Sequence, residues 1–320
     1  MVLLLLIMNL YIKMILKQVA IFIFLFCLFS CNGQETDTII KESKTSFNSG
    51  HFHMPELPTE MVFAGERILL TDLDIRERLD KELHAIVFYH NLIISYFKRA
   101  NRYMPEIEIL LKEKNIPDDF KYLALIESGY ENVESRSGAH GFWQFMPQTA
   151  TEYGLTVNEL IDERQDLRKS TIAAGKYLQK AKDTLGSWIE AAASYNRGVN
   201  GVRRDQKWQN VNSYFDTHMN NETSRYVFRI MAAKLIFENP KKYGYDLNHI
   251  ELYPPLKTKQ EIVDGEIRDL ALWSKDKGVN YKILIKLNPW IIGKSIKKRP
   301  EGYLILLPFD NTQFRNYINY

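Results

Sequence analysis

Between residues 72 and 239 the apolar side chains recur at helical spacing with little strand-like alternation, and this stretch decides what the chain can fold into. Leu79, Leu83, Ile86, Val87 and His90 form one stripe. Leu167, Thr171, Ala174, Leu178, Ala181 and Leu185 form another, ended by Gly186. The punctuation agrees: Asn115-Ile116-Pro117 closes one helix, and Asp118-Asp119 are placed to cap the next. Ser187-Trp188-Ile189-Glu190 has the form of a capping box opening a helix through Tyr195. A further helix from Glu222 to Glu238 stops at Asn239-Pro240. Each apolar stripe needs another to cover it, so a mainly α domain of several packed helices is expected.

The flanks read differently. Residues 258–310 change character: Asp269-Leu270-Ala271-Leu272-Trp273 and Tyr281-Lys282-Ile283-Leu284 look helical, while Tyr303-Leu304-Ile305-Leu306-Leu307-Pro308 reads as a strand. A small α+β module fits them. Residues 31–60 are rich in Ser, Thr, Asn and Lys, with Pro55 and Pro58 and few large apolar residues, the composition of a flexible tether. The expected organisation is therefore a leader over 1–30, a tether over 31–60, a helical domain over 61–250 and a module over 258–310. At 320 residues the chain is long enough to bury a sizeable core.

Charge excludes one class of partner. The formal net charge is +3, and Lys13 and Lys17 lie in the leader, which holds no acidic residue, so the remainder sits near +1. Nothing here suits nucleic acid. The leader places those two lysines before an apolar run over residues 19–29, too short for the roughly 20 positions of a spanning helix. Charged, then apolar, then small is the order of a secretory signal. Its last four residues, Leu28-Phe29-Ser30-Cys31, resemble a bacterial lipobox, although Phe29 is bulkier than usual. Cys31 would then be the lipidated first residue of a mature lipoprotein, held on a membrane by its acyl chains. The alternative is an uncleaved membrane anchor that includes residues 1–8, and Met14 is a second candidate start. Cys27 would leave with the leader and Cys31 would be consumed by lipid, so disulfides and a thiol nucleophile are excluded. His51 and His53 sit in the tether without further ligands, so neither a metal nor another cofactor is expected.

One carboxylate stands out. Phe120, Leu123, Ala124 and Glu127 fall at i, i+3, i+4 and i+7, so Glu127 continues an apolar face near a helix end. Lost hydration and a helix C-terminus both raise a carboxyl pKa. A rise from about 4.3 to between 6 and 7 needs roughly 3 kcal/mol of differential environment, and it reaches the range useful to a general acid. The alternative is a surface glutamate at a frayed helix end. Fourteen positions on begins Gly141-Phe142-Trp143-Gln144-Phe145-Met146-Pro147. Its aromatics suit either a core or a sugar-binding wall. The Gln144 amide among them must find partners if buried, and sugar hydroxyls and N-acetyl groups would supply them. Tyr195-Asn196-Arg197-Gly198, after an alanine-rich helix, reads equally as a helix cap or as part of a site.

Taken in order, Ala124-Leu125-Ile126-Glu127-Ser128-Gly129, Ser135, Gly138-Ala139, Gly141 to Pro147, Ala193-Ser194-Tyr195-Asn196-Arg197-Gly198 and Glu222-Thr223-Ser224-Arg225-Tyr226-Val227 resemble the lytic transglycosylases of the lysozyme-like superfamily. The resemblance is strongest to the membrane-bound lytic murein transglycosylase D group of glycoside hydrolase family 23, and it covers roughly residues 60–250. It implies a lysozyme-like helical catalytic domain acting on peptidoglycan glycan strands, in a lipoprotein of the outer membrane facing the periplasm. It implies that Glu127 is the single acid/base, protonating the oxygen between N-acetylmuramic acid and N-acetylglucosamine and leaving a 1,6-anhydromuramoyl end. It further implies that Ser135, Gln144, Met146, Tyr195, Asn196 and Tyr226 line the glycan groove, with Tyr226 near the acid. Ordinary glycosidases use a second carboxylate. Glu131, Glu134 and Glu152 are near in sequence, and no motif marks any of them as that partner. Glu134 and Arg136 depart from the usual pattern, where apolar or proline residues are common. Lys277-Gly278-Val279-Asn280-Tyr281-Lys282 and Leu287-Asn288-Pro289-Trp290 look similar to a degenerate LysM module, with a structural appendage as the alternative. A hydrolytic muramidase and a non-catalytic wall-binding lipoprotein are the competing functions.

Overall fold

The structure, a computed structural model, describes residues 56–314; the leader, Cys31, His51 and His53 lie outside the described residues. It opens with an antiparallel hairpin, β1 (Glu60–Phe63) and β2 (Glu66–Leu69), with Glu60 opposite Leu69. This hairpin was not expected from the sequence, because four-residue strands are too short to show a period. Met61, Phe63 and Ile68 still face the core. Ala64 and Gly65 both take positive φ, as a two-residue hairpin turn requires.

The helical body follows. Helix α1 (Leu73–Val87) is capped by Asp72, which accepts from Ile75 N at 3.0 Å, and it buries Leu79, Leu83, Ile86 and Val87. His90 does not extend this stripe: the chain breaks at Phe88 and Tyr89, and His90 opens α2 (His90–Glu113). A 3₁₀ turn over Asp118–Phe120 leads into α3 (Lys121–Ser128). The expected Asp118-Asp119 cap is not made. Asp119 is buried instead, accepting from Ala64 N at 2.7 Å and pairing with Lys234, while Asp118 pairs with Lys121. Lysine partners and the Ala64 N–H take these carboxylates in place of the cap.

Then come α4 (Pro147–Glu152), α5 (Leu167–Leu185), α6 (Trp188–Arg197), α7 (Val199–Gln209) and α8 (Asn221–Glu238). Gly186 ends α5 with φ of 91°. Ser187 caps α6, accepting from Ile189 N and Glu190 N, yet the capping box is only half formed. Glu190 turns inward to Tyr214 N and Gln206, and Glu66 of β2 accepts from Trp188 N and Ser187 Oγ at the helix start. Helix α8 is the axis of the body. Val227, Phe228, Ile230, Met231, Ala232, Ala233 and Ile236 are all buried, against α1, α3 and α6.

The C-terminal module pairs β3 (Thr258–Val263) with β4 (Tyr303–Pro308) in antiparallel register, Thr258 opposite Pro308, around α9 (Leu270–Asp276) and α10 (Tyr281–Leu287). It has its own core of Leu270, Leu284, Trp290, Ile296, Ile305 and Leu307, into which Ile161 of the helical body inserts. The fold is thus mainly α with a small α+β module. Among the described residues, no helix is long and apolar enough to cross a membrane.

Candidate active site

Glu127 is the penultimate residue of α3, partly buried, and α3 ends in Gly129 at φ of 60°, where a Cβ would lie 2.5 Å from the Tyr96 ring. The tight C-cap lets the chain turn at once into the loop that follows. Tyr226 of α8 donates its hydroxyl to Glu127 Oε1. Burial pushes Glu127 up to about 7; the Tyr226 hydrogen bond and the charge of Arg229 pull it back, and the charge of Glu222 raises it. Burial is the largest of these causes. Tyr226 and Tyr195 are themselves held protonated, well above their usual range, by burial and then by the Glu127 charge.

The loop over residues 133–145 follows and is tied to the helix of this acid through Ser128 Oγ, which donates to Phe142 O. His140 bridges both Glu134 and Phe145, and Gln144 Nε2 donates to Val133 O at 2.9 Å and to Gly141 O at 2.8 Å. Gln144 adopts φ of 49°, in the left-handed region unusual for a non-glycine residue. Its amide donors are therefore spent inside the loop. Among the described residues none donates to its carboxamide oxygen. Ser135 Oγ accepts from Ala139 N at 2.9 Å, closing the turn on the same loop.

The aromatics beside Gln144 are core residues. Phe142, Trp143 and Phe145 are buried, and Trp143 Nε1 donates to Thr171 Oγ1 at 2.9 Å within α5. The exposed members of the motif are Met146, at 43%, and Pro147. Two hydrogen bonds fix the loop against the helices: Ser128 Oγ to Phe142 O at 2.9 Å, and Tyr195 Oη to Trp143 O at 2.9 Å.

Gln144, Met146 and Tyr195 share a cleft of about 590 Å³. Tyr177 and Tyr153 continue it, with ring centroids 5.1 Å from Tyr195 to Tyr177 and 5.4 Å from Tyr177 to Tyr153, and Lys180 lies beyond. Asn196 lies on the α8 side, where it donates to Glu222 Oε1 at 2.9 Å and accepts from Thr223 Oγ1 at 2.7 Å. Ser135 has its hydrogen bonds within its own loop and makes none to the other named residues. A second cavity, about 310 Å³, lies between α2 and the C-terminal module, lined by Tyr103, Ile109, Trp290 and Leu306, and holds none of these side chains.

Sequence reasoning missed two groups that act on the acid. Glu222 is the carboxylate that the structure brings within electrostatic reach of Glu127, whereas Glu131 pairs with Arg99 and Glu152 accepts from Gln148. Arg229 stands one helical turn after Tyr226 on the same face of α8. That i+3 spacing was the available signal. The arrangement can hold a proton near neutral pH on one carboxyl oxygen while a tyrosine engages the other, within electrostatic reach of Tyr195 in a cleft of aromatic and amide groups. It suits protonation of a leaving group on an elongated, hydroxyl-rich substrate.

Residues 104–216 match the transglycosylase SLT domain, and residues 259–311 match the soluble lytic transglycosylase C-terminal LysM-like domain. The chain is 30% identical over 179 residues to the membrane-bound lytic murein transglycosylase D of Escherichia coli K12, covering 54% of this chain and 39% of that protein. The corresponding protein of Escherichia coli O6:H1 matches equally. A putative tributyltin chloride resistance protein of Alteromonas sp. (strain M-1) is 34% identical over 110 residues, 33% of this chain and 52% of that one. The chain thus spans about two fifths of the length of the transglycosylases it matches. It carries an SLT domain followed by a LysM-like domain.

Proposed function

We propose that this SLT-domain chain is a peptidoglycan lytic transglycosylase in which Glu127 serves as the single general acid/base. The observation that carries the reading is a partly buried glutamate raised to about 7, with a tyrosine hydroxyl on one oxygen and within electrostatic reach of Tyr195, which lines an aromatic cleft. Protonated below that value, Glu127 gives its proton to the glycosidic oxygen between N-acetylmuramic acid and N-acetylglucosamine as the bond to C1 breaks. The resulting carboxylate takes the proton of the muramoyl 6-hydroxyl as that oxygen bonds to C1. The product is a 1,6-anhydromuramoyl end, and no water is consumed.

The substrate's own hydroxyl replaces the second carboxylate that most glycosidases need. Met146 and Tyr195 supply apolar and aromatic surface for the sugar faces, and the Gln144 carboxamide oxygen accepts from an N-acetyl N–H or a hydroxyl. Asn196 holds Glu222 off the acid, and Ser135 shapes the loop through Ala139. The leader and the Leu28-Phe29-Ser30-Cys31 sequence support a lipid anchor at Cys31 and a site at the outer membrane, facing the periplasm. Both Escherichia coli relatives are named as membrane-bound, which supports attachment to a membrane.

Mass spectrometry of digested sacculi tests the chemistry. Muropeptides one water lighter than hydrolysis products are expected, and reducing ends would sink the proposal. Glu222 gives the hydrolytic alternative a specific residue, since a water-activating base would have to lie within reach of Glu127. That alternative requires Glu222→Gln to abolish turnover.

A further inference from the structure

The C-terminal module grips residues 160–163 of the helical body, and the next residue, Arg164, holds the groove loop. On the module side, Ile292 N and Gly293 N both donate to Leu160 O at 3.0 Å, and Asp162 N donates to Trp290 O at 2.8 Å. Arg299 Nη1 donates to Glu163 Oε1 at 2.9 Å, and Ile161 is buried in the module's own core. The fit leaves no slack, because a Cβ on Gly293 would lie 2.5 Å from Leu160 Cδ2 and 3.1 Å from its Cα.

On the groove side, Arg164 Nη1 donates to Gly138 O at 2.7 Å and to Phe145 O at 3.2 Å, the two ends of the turn that carries Gln144. Its Nε and Nη2 form a fork on the Asp162 carboxylate at 2.9 and 2.7 Å. The backbone is as close as the side chain: a Cβ on Gly141 would lie 2.0 Å from Arg164 O. Asp162, Glu163 and Arg164 are 5%, 2% and 6% exposed. A buried guanidinium is tolerated only while it is paired and its donors are used. Arg164 therefore cannot shift without breaking bonds to the loop and to Asp162 together, and Asp162 cannot shift without Trp290.

We propose that Arg164 is a positioning residue for the groove, and that the module sets the groove's affinity for glycan through it. The inference rests on reading the cleft as a glycan groove. It differs from a role in which the module only carries the enzyme to its substrate. The acid is built elsewhere, Glu127 on α3 and Tyr226 on α8, and Arg164 touches neither. Loss of the positioning should therefore weaken binding and spare the chemical step.

Steady-state release of muropeptides from sacculi by the full chain tests this. Arg164→Met should raise KM about tenfold while kcat stays within about threefold. Arg299→Met, on the module and out of contact with the loop, should raise KM about threefold, and the double variant should be no worse than Arg164→Met alone, because residues in one network are not additive. An unchanged KM in Arg299→Met, multiplying effects, or a fall in kcat that follows melting temperature overturns the inference. Should Arg164→Met fail to fold, Arg164→Lys, which keeps the charge and loses the fork, takes its place against the same outcomes. If the wild type releases no muropeptide, the functional reading itself has failed. Co-sedimentation of the variants with sacculi then decides the inference: weaker binding in both supports it, and unchanged binding overturns it.

Discussion

Two glutamates among the described residues are raised to about 7 by burial, and their surroundings separate them. Glu190 lies at the start of α6 and is satisfied from within: Tyr214 N and the Gln206 amide donate to its two oxygens. It joins the helix start to the loop before α8. Glu127 receives one tyrosine hydroxyl and lies within electrostatic reach of Tyr195, which lines the cleft. A raised carboxyl pKa marks burial; a free oxygen beside a cleft marks a candidate acid.

The largest effect should come from Glu127→Gln, which keeps the shape and removes the proton. Muropeptide release should fall by about 10³-fold or more, at unchanged or higher melting temperature. Residual activity near wild type would end the comparison, since the two glutamates would then be equally structural. Tyr226→Phe should cost about 10- to 100-fold, and because the hydroxyl holds Glu127 down, the alkaline limb of kcat/KM should move to higher pH. Glu222→Gln acts in the opposite direction. Its charge raises Glu127, so its removal should move that limb to lower pH and reduce turnover only a few-fold. Wild-type kcat/KM itself should fall as pH rises through about 7, as the acid loses its proton.

Glu190→Gln should leave turnover within about twofold of wild type and show itself only in stability. A carboxyl raised in the folded state gives a contribution that is complete below its unfolded value near 4.5 and lost as pH rises through about 7. The wild type should therefore melt at a lower temperature at pH 8 than at pH 5. The change at Glu190 is at most about 3 kcal/mol at 1.36 kcal/mol per unit. Calorimetry at the two pH values should find that difference smaller in Glu190→Gln, and an unchanged difference would show that Glu190 is not its source.

Much of this was legible before the structure. The α5 stripe with its Gly186 stop, the Asn239-Pro240 end of α8 and the change of character near residue 258 are local signals, and local signals survive in sequence. Glu127 was legible because an acid continuing an apolar stripe breaks the pattern around it. What escaped depends on partners far away in the chain. Asp119 has the form of a helix cap, yet it serves Ala64 and Lys234. Glu190 completes a capping box by spacing, yet it turns inward to Tyr214 N, and Glu66, 121 positions from Ser187, accepts from that cap's hydroxyl. The aromatics beside Gln144 carry the pattern of a sugar wall, while Thr171 of α5 holds Trp143 in the core. No period or spacing could have linked Arg164 to Gly138, 26 positions earlier, since that contact is made only when the chain folds back on itself.

The backbone at Gln144 has one more consequence. Its φ of 49° costs a side-chain-bearing residue on the order of 1 kcal/mol that glycine would not incur, and such strain persists where the surroundings leave no other choice. Gln144→Gly should therefore relax the loop's backbone while deleting the amide that spans Val133 and Gly141. If thermal denaturation shows little or no loss of stability in a variant that has lost its hold on sacculi, this position trades folding free energy for recognition, and selection for a hardier protein would discard it first.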